Sequence, residues 1–132
     1  MRALFLVVAV SLPILFPHAQ ETGKKPAPRV IHLDPAAAES TDIFTGPPMT
    51  ATMRSGYMVL APGKSVGKHS TRNNEEALVV LAGRGEMRIT NGPVLALKAY
   101  DVAYSPPATE HDVFNTGTDT LRYIWLVAKA RP

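Results

Sequence analysis

Downstream of Thr50, apolar and polar positions alternate in short runs separated by glycine, proline and asparagine. Runs at 57–61, 76–81, 86–90, 94–98, 101–104, 110–114 and 121–128 have the period-two pattern and residue types of β-strands. Asn91-Gly92, between two of them, is the signal of a two-residue hairpin. No stretch in this region holds a helical period for three turns, and no internal repeat is present. The pattern predicts an all-β sandwich or barrel. Before Thr50 it weakens: residues 30–33 read as one further short strand, Pro35-Ala36-Ala37-Ala38 as a helical turn, and the rest as loop up to Gly46-Pro47-Pro48.

Two runs are apolar on both faces. Leu78 and Val80 share the face of Glu76, while Ala77, Val79 and Leu81 take the other. Leu121, Tyr123, Trp125 and Val127 likewise oppose Ile124 and Leu126. A strand buried on both sides needs cover, from the N-terminal segment or from a partner subunit, and a homodimer is expected.

The first residues follow a different rule. Met1-Arg2, an apolar run over 3–16 and Pro17-His18-Ala19 have the outline of a secretory signal peptide, assigned to residues 1–19. The apolar run falls short of the ~20 residues that span a bilayer, so no stable membrane span is expected. Residues 20–49 are read as a linker and N-terminal extension, and 50–128 as the single folded domain. Export to the periplasm or the medium follows. The chain has no cysteine, which excludes disulfides and a lipoprotein anchor, so the fold rests on burial alone. The formal charge of +3 comes from scattered basic residues without interleaved aromatics, which argues against nucleic acid. No phosphate-cradling loop, cysteine nucleophile or nucleophile elbow is present.

Three residues carry candidate chemistry. His69, Glu76 and His111 supply the two imidazoles and one carboxylate that suit a divalent transition metal. His69 and Thr71 share a face if that segment is extended. Arg72-Asn73-Asn74 then resets the phase through a turn, since asparagine tolerates left-handed geometry. Glu75 and Glu76 point to opposite sides, and Glu76 heads the apolar run. The alternative is a pair of hydrogen-bonded or surface histidines and a strand-edge charge.

Gly63-x5-His69-x-Thr71-x4-Glu76-x6-Gly83 resembles the first motif of the cupins, and Tyr100-x5-Pro106-x-Ala108-x2-His111-x3-Asn115 resembles the second. The resemblance covers residues 50–128 and implies a double-stranded β-helix, the cupin jelly roll. It also implies iron, manganese, nickel or zinc, held in that family by three histidines and a glutamate. Carried over by position, His69, Glu76 and His111 are ligands, Thr71 stands where a second histidine is expected, and Ala108 and Tyr100 replace glycines. The spare His32 lies outside both motifs. Two histidines and a carboxylate match the facial set of non-haem iron oxygenases. The expectation is therefore metal-dependent, dioxygenase-like oxidation of a small organic molecule. Thr71 would position a bound water or a substrate oxygen, and Tyr57 or Tyr104 would supply a proton. The alternatives are a non-catalytic cupin binding a sugar or other small molecule, and a metal-dependent isomerase or lyase.

Overall fold

A computed structural model describes residues 25–130; the signal-peptide assignment at 1–19 lies outside them. Among the described residues nine strands follow one another: β1 (Thr41–Thr45), β2 (Arg54–Leu60), β3 (His69–Ser70), β4 (Asn74–Ala82), β5 (Arg84–Ile89), β6 (Val94–Lys98), β7 (Val102–Ser105), β8 (Glu110–Phe114) and β9 (Leu121–Lys129). They form a five-stranded sheet in the order β1-β2-β9-β4-β7 and a four-stranded sheet in the order β3-β8-β5-β6. Every named pairing is antiparallel. The two sheets pack face to face as a jelly roll. Among the described residues no helix is long and apolar enough to cross a membrane.

Register decides which side chains enter the barrel. On the larger sheet Gly56 lies opposite Trp125, which lies opposite Leu78, itself opposite Ala103. That row and the rows of Met58, Tyr123 and Val80 and of Leu60 and Leu121 face inward. On the smaller sheet Met87, Val113 and Leu97 meet them, and these residues form the buried core. Gly85 lets Leu121 and the β8 backbone close in: a Cβ there would collide with the Phe114 carbonyl oxygen and come within 2.7 Å of Leu121 Cδ2.

The N-terminal segment departs from expectation. Residues 30–33 have no regular structure, and β1 forms instead within the stretch read as loop. The expected helical turn is a hydrogen-bonded turn in which Asp34 accepts from the Ala36 and Ala37 amides. β1 escapes the pattern because a bulge between Asp42 and Phe44 breaks the alternation within its five residues. This segment covers part of the outer face of the larger sheet. Arg122 there donates to the Ala37 carbonyl and to the Tyr57 hydroxyl, and the Val59 amide donates to Ser40 Oγ. The β5–β6 hairpin also differs. Ile89 N–H donates to the Pro93 carbonyl, so the connection is three residues, 90–92, with Asn91 left-handed at φ 56°.

Candidate metal centre

The three donors come from both sheets and meet between them. β3 is only two residues long, but its pairing sets His69 directly opposite His111 on β8, so both imidazoles point to the same side. Glu76 lies across the gap on β4, in register with Ser105 and Val127 on the inward face. Glu75, one residue earlier, points out. The phase reset between His69 and Glu76 is a tight turn over residues 71–74, closed by the Asn74 amide on the Thr71 carbonyl. The left-handed residue in it is Arg72, at φ 56°, and not an asparagine. The Asn74 side chain is occupied in donating to the Thr71 carbonyl.

One ligand atom from each of His69, Glu76 and His111 lies within 4.8 Å of the other two. Two donors on one ion at ~2.1 Å bonds sit about 3–4 Å apart, so a modest side-chain rotation closes the site. The imidazole centroids are 4.5 Å apart.

Hydrogen bonds on the far side of each ring fix which nitrogen faces the site. His69 Nδ1 lies 2.8 Å from the Gly67 carbonyl, which can only accept, so Nδ1 carries the hydrogen and Nε2 keeps a lone pair. His111 Nδ1 lies 3.3 Å from the Thr109 carbonyl and 3.3 Å from Ser105 Oγ, which fixes the same tautomer. His111 Nε2 then faces Glu76 Oε2 at 3.2 Å. Both atoms are buried without a hydrogen-bond partner. Two acceptors held this close in a dry interior repel unless a cation lies between them. A proton is one such cation, and a divalent metal is another. Burial works to lower the pKa of His111, but the Glu76 carboxylate, the Thr109 carbonyl and Asp112 together raise it above its ordinary value.

A cavity of about 330 Å³ opens beside the donors, lined by His69, Glu76 and Thr71 together with Tyr123, Trp125 and aliphatic side chains. Thr71 faces it, but its hydroxyl donates to the Asn74 carbonyl at 2.8 Å, leaving only lone pairs for anything in the cavity. Tyr57 and Tyr104 are corrected by register. Tyr57 pairs with Ile124, and Tyr104 with Ala77, rows that face away from the barrel interior. The Tyr57 hydroxyl accepts from Arg122 beneath the N-terminal segment, and Tyr104 donates to Glu75 outside. Neither reaches the cavity. His32 is exposed and does not join the cluster.

The tyrosine that does face inward is Tyr123, 2% exposed, and burial followed by the charges of Glu76 and Asp112 raises its pKa strongly. Its place was available from the parity of Leu121, Tyr123 and Trp125. Ser105 carried no such signal, because its role depends on the pairing of β7 with β4.

A two-sheet β-helix with histidine and glutamate donors gathered at one end is the architecture of a cupin. A cupin-domain family profile matches residues 56–127, more than half of the chain, and the protein belongs to that family. The oxalate-binding protein of Thermotoga maritima is 33% identical over 70 residues, 53% of this chain and 57% of the relative. The match thus spans little more than half of that relative's length. A cupin 2 conserved barrel domain protein from Salinispora arenicola superposes with a TM-score of 0.64 at 25% identity, over 79% of this chain and 91% of that one. A Klebsiella pneumoniae protein with a double-stranded β-helix domain gives a TM-score of 0.65 at 22% identity, over 80% and 93% of the two chains, a likeness of fold.

Proposed function

We propose that this protein is an exported cupin that holds one divalent transition metal through His69, Glu76 and His111 and uses it to oxidise a small organic molecule with dioxygen. The observation that carries the metal is the orphaned pair, His111 Nε2 and Glu76 Oε2, 3.2 Å apart. Iron, manganese, nickel and zinc all suit this donor set. When bound, such an ion supplies a Lewis acid, and a redox-active one also supplies electrons to dioxygen.

The chain's own residues do the rest. His69 and His111 offer Nε2 because Gly67, Thr109 and Ser105 hold their Nδ1 hydrogens. Glu76 offsets one positive charge. A substrate would enter through the cavity beside the donors and lie against Trp125 and the aliphatic wall. Tyr123, not Tyr57 or Tyr104, is the tyrosine on the cavity wall, and its hydroxyl would donate to a substrate there.

A second reading, binding without turnover, is favoured by the relative named as an oxalate-binding protein and by threonine at 71. Metal-dependent isomerase or lyase chemistry would use the same donors. Threonine at the position of a family ligand gives a direct test of the metal assignment. In Thr71→His, zinc affinity should rise by at least about 10-fold, measured by calorimetry, because a fourth donor enters the same cluster. Unchanged affinity would mean that position 71 faces no metal. Dioxygen uptake by the iron-loaded protein over a panel of small organic molecules separates oxidation from binding: turnover supports the first reading, and ligand retention without uptake supports the second.

A further inference from the structure

The cavity beside the donors has a composition that selects its occupant. Its 330 Å³ gives room for on the order of ten heavy atoms, if each takes roughly the 30 Å³ of a liquid water. Glu76 is the only charged side chain among its lining residues, and no lysine or arginine lines it among the described residues. A dipositive ion beside Glu76 keeps one net positive charge, which a single anionic group cancels. A second carboxylate would face valine, methionine and indole with no cation to meet it, and burial penalises that.

Two features shape the apolar side. Trp125, the single tryptophan of the chain, sits opposite Gly56. A Cβ at position 56 would come within 2.5 Å of the indole Nε1 and 2.6 Å of Cε2, so the ring occupies space that only glycine leaves free. Tyr123 is 2% exposed and lines the cavity. Thr71 already commits its hydroxyl hydrogen to the Asn74 carbonyl, which leaves Tyr123 as the hydroxyl donor that the lining offers an occupant.

We propose that the cavity selects a compact monocarboxylate with a flat apolar body, the body resting on Trp125 and one carboxylate oxygen accepting a hydrogen bond from Tyr123. This rests on the metal reading above and adds the ligand class to it. Oxalate, with two charges and no apolar body, is disfavoured.

Calorimetric titration tests it. Zinc is titrated into chelator-treated protein, and phenylacetate, acetate and oxalate are then titrated into the zinc-loaded form, with Trp125 fluorescence as a second readout. The expected result is one zinc per chain, phenylacetate binding about 10-fold tighter than acetate with a change in tryptophan emission, and oxalate binding more weakly than phenylacetate. Tyr123→Phe should weaken phenylacetate about 10-fold with one zinc still bound. Equal affinities for acetate and phenylacetate, tighter oxalate, or an unaffected Tyr123→Phe variant would overturn the ligand class alone. Absence of zinc binding would overturn the metal centre and this inference together.

Discussion

At the scale of residues, the site is built by what lies behind the ligands. Ser105 and the Thr109 carbonyl hold His111 Nδ1, each at 3.3 Å, so Nε2 faces Glu76. Removing the hydroxyl in Ser105→Ala should cost about 10-fold in zinc affinity while leaving the ligands in place. Unchanged affinity by calorimetry would assign the orientation to Thr109 alone. The raised pKa of His111 also sets a pH response for metal-free protein. A proton shared with Glu76 stabilises the fold fully below the ordinary value of 6.5, and that stability is lost as pH rises through the higher folded value. The melting temperature of chelator-treated protein should therefore fall as pH rises from about 6 toward 8, whereas zinc affinity should increase. A flat melting profile across that range would show that no proton bridges the pair. The inward turn of Glu76 follows from its parity with Leu78 and Val80, which a sequence displays directly. The choice of tyrosine does not: Tyr57 and Met58 differ by one position and so occupy opposite faces, and only the pairing of Tyr57 with Ile124 shows which faces out.

Among the elements, strand signals carry well where turn residues bound a run. Residues 94–98 and 110–114 match β6 and β8 at both ends. The reading fails at β1, where a bulge between Asp42 and Phe44 interrupts a five-residue strand, and at β3, whose two residues are too few to display a period. Turns show a different limit. Tyr100 and Ala108, which stand where the cupin motifs have glycine, keep glycine-like backbone at φ 73° and φ 60°. The conformation is held without the glycine, with Tyr100 N–H donating to the Val80 carbonyl and Ala108 N–H to the Arg72 carbonyl. Left-handed geometry costs a non-glycine residue about 1–2 kcal/mol, and glycine gives back about 0.5–1 kcal/mol in backbone entropy. Ala108→Gly should thus stabilise the protein by roughly 0.5–1 kcal/mol in urea denaturation. A loss of stability would show that the strain is absent.

For the molecule as a whole, the two apolar faces of β4 and β9 are only partly accounted for within one chain. The N-terminal segment covers the outer face near Tyr57 and Arg122, but at the other edge Val102 and Tyr104 on β7 remain 70% and 55% exposed. An edge strand carrying exposed apolar side chains is open to a second copy. We therefore expect sedimentation of the purified protein at micromolar concentration to give a homodimer, and Val102→Lys to give a monomer. A monomer in the unsubstituted protein would remove that assignment. The barrel itself was legible from strand count and spacing, since a chain without cysteine must close two sheets over one shared core. The cover over its outer face was not, because it depends on single hydrogen bonds from a segment with little pattern of its own.

Anomalous diffraction at the zinc edge from zinc-loaded crystals locates the ion directly. A single strong peak is expected, bounded by Nε2 of His69, Nε2 of His111 and the Glu76 carboxylate, with no such peak in His111→Ala. Zinc found only elsewhere on the surface, with those three side chains unliganded, would contradict the metal centre.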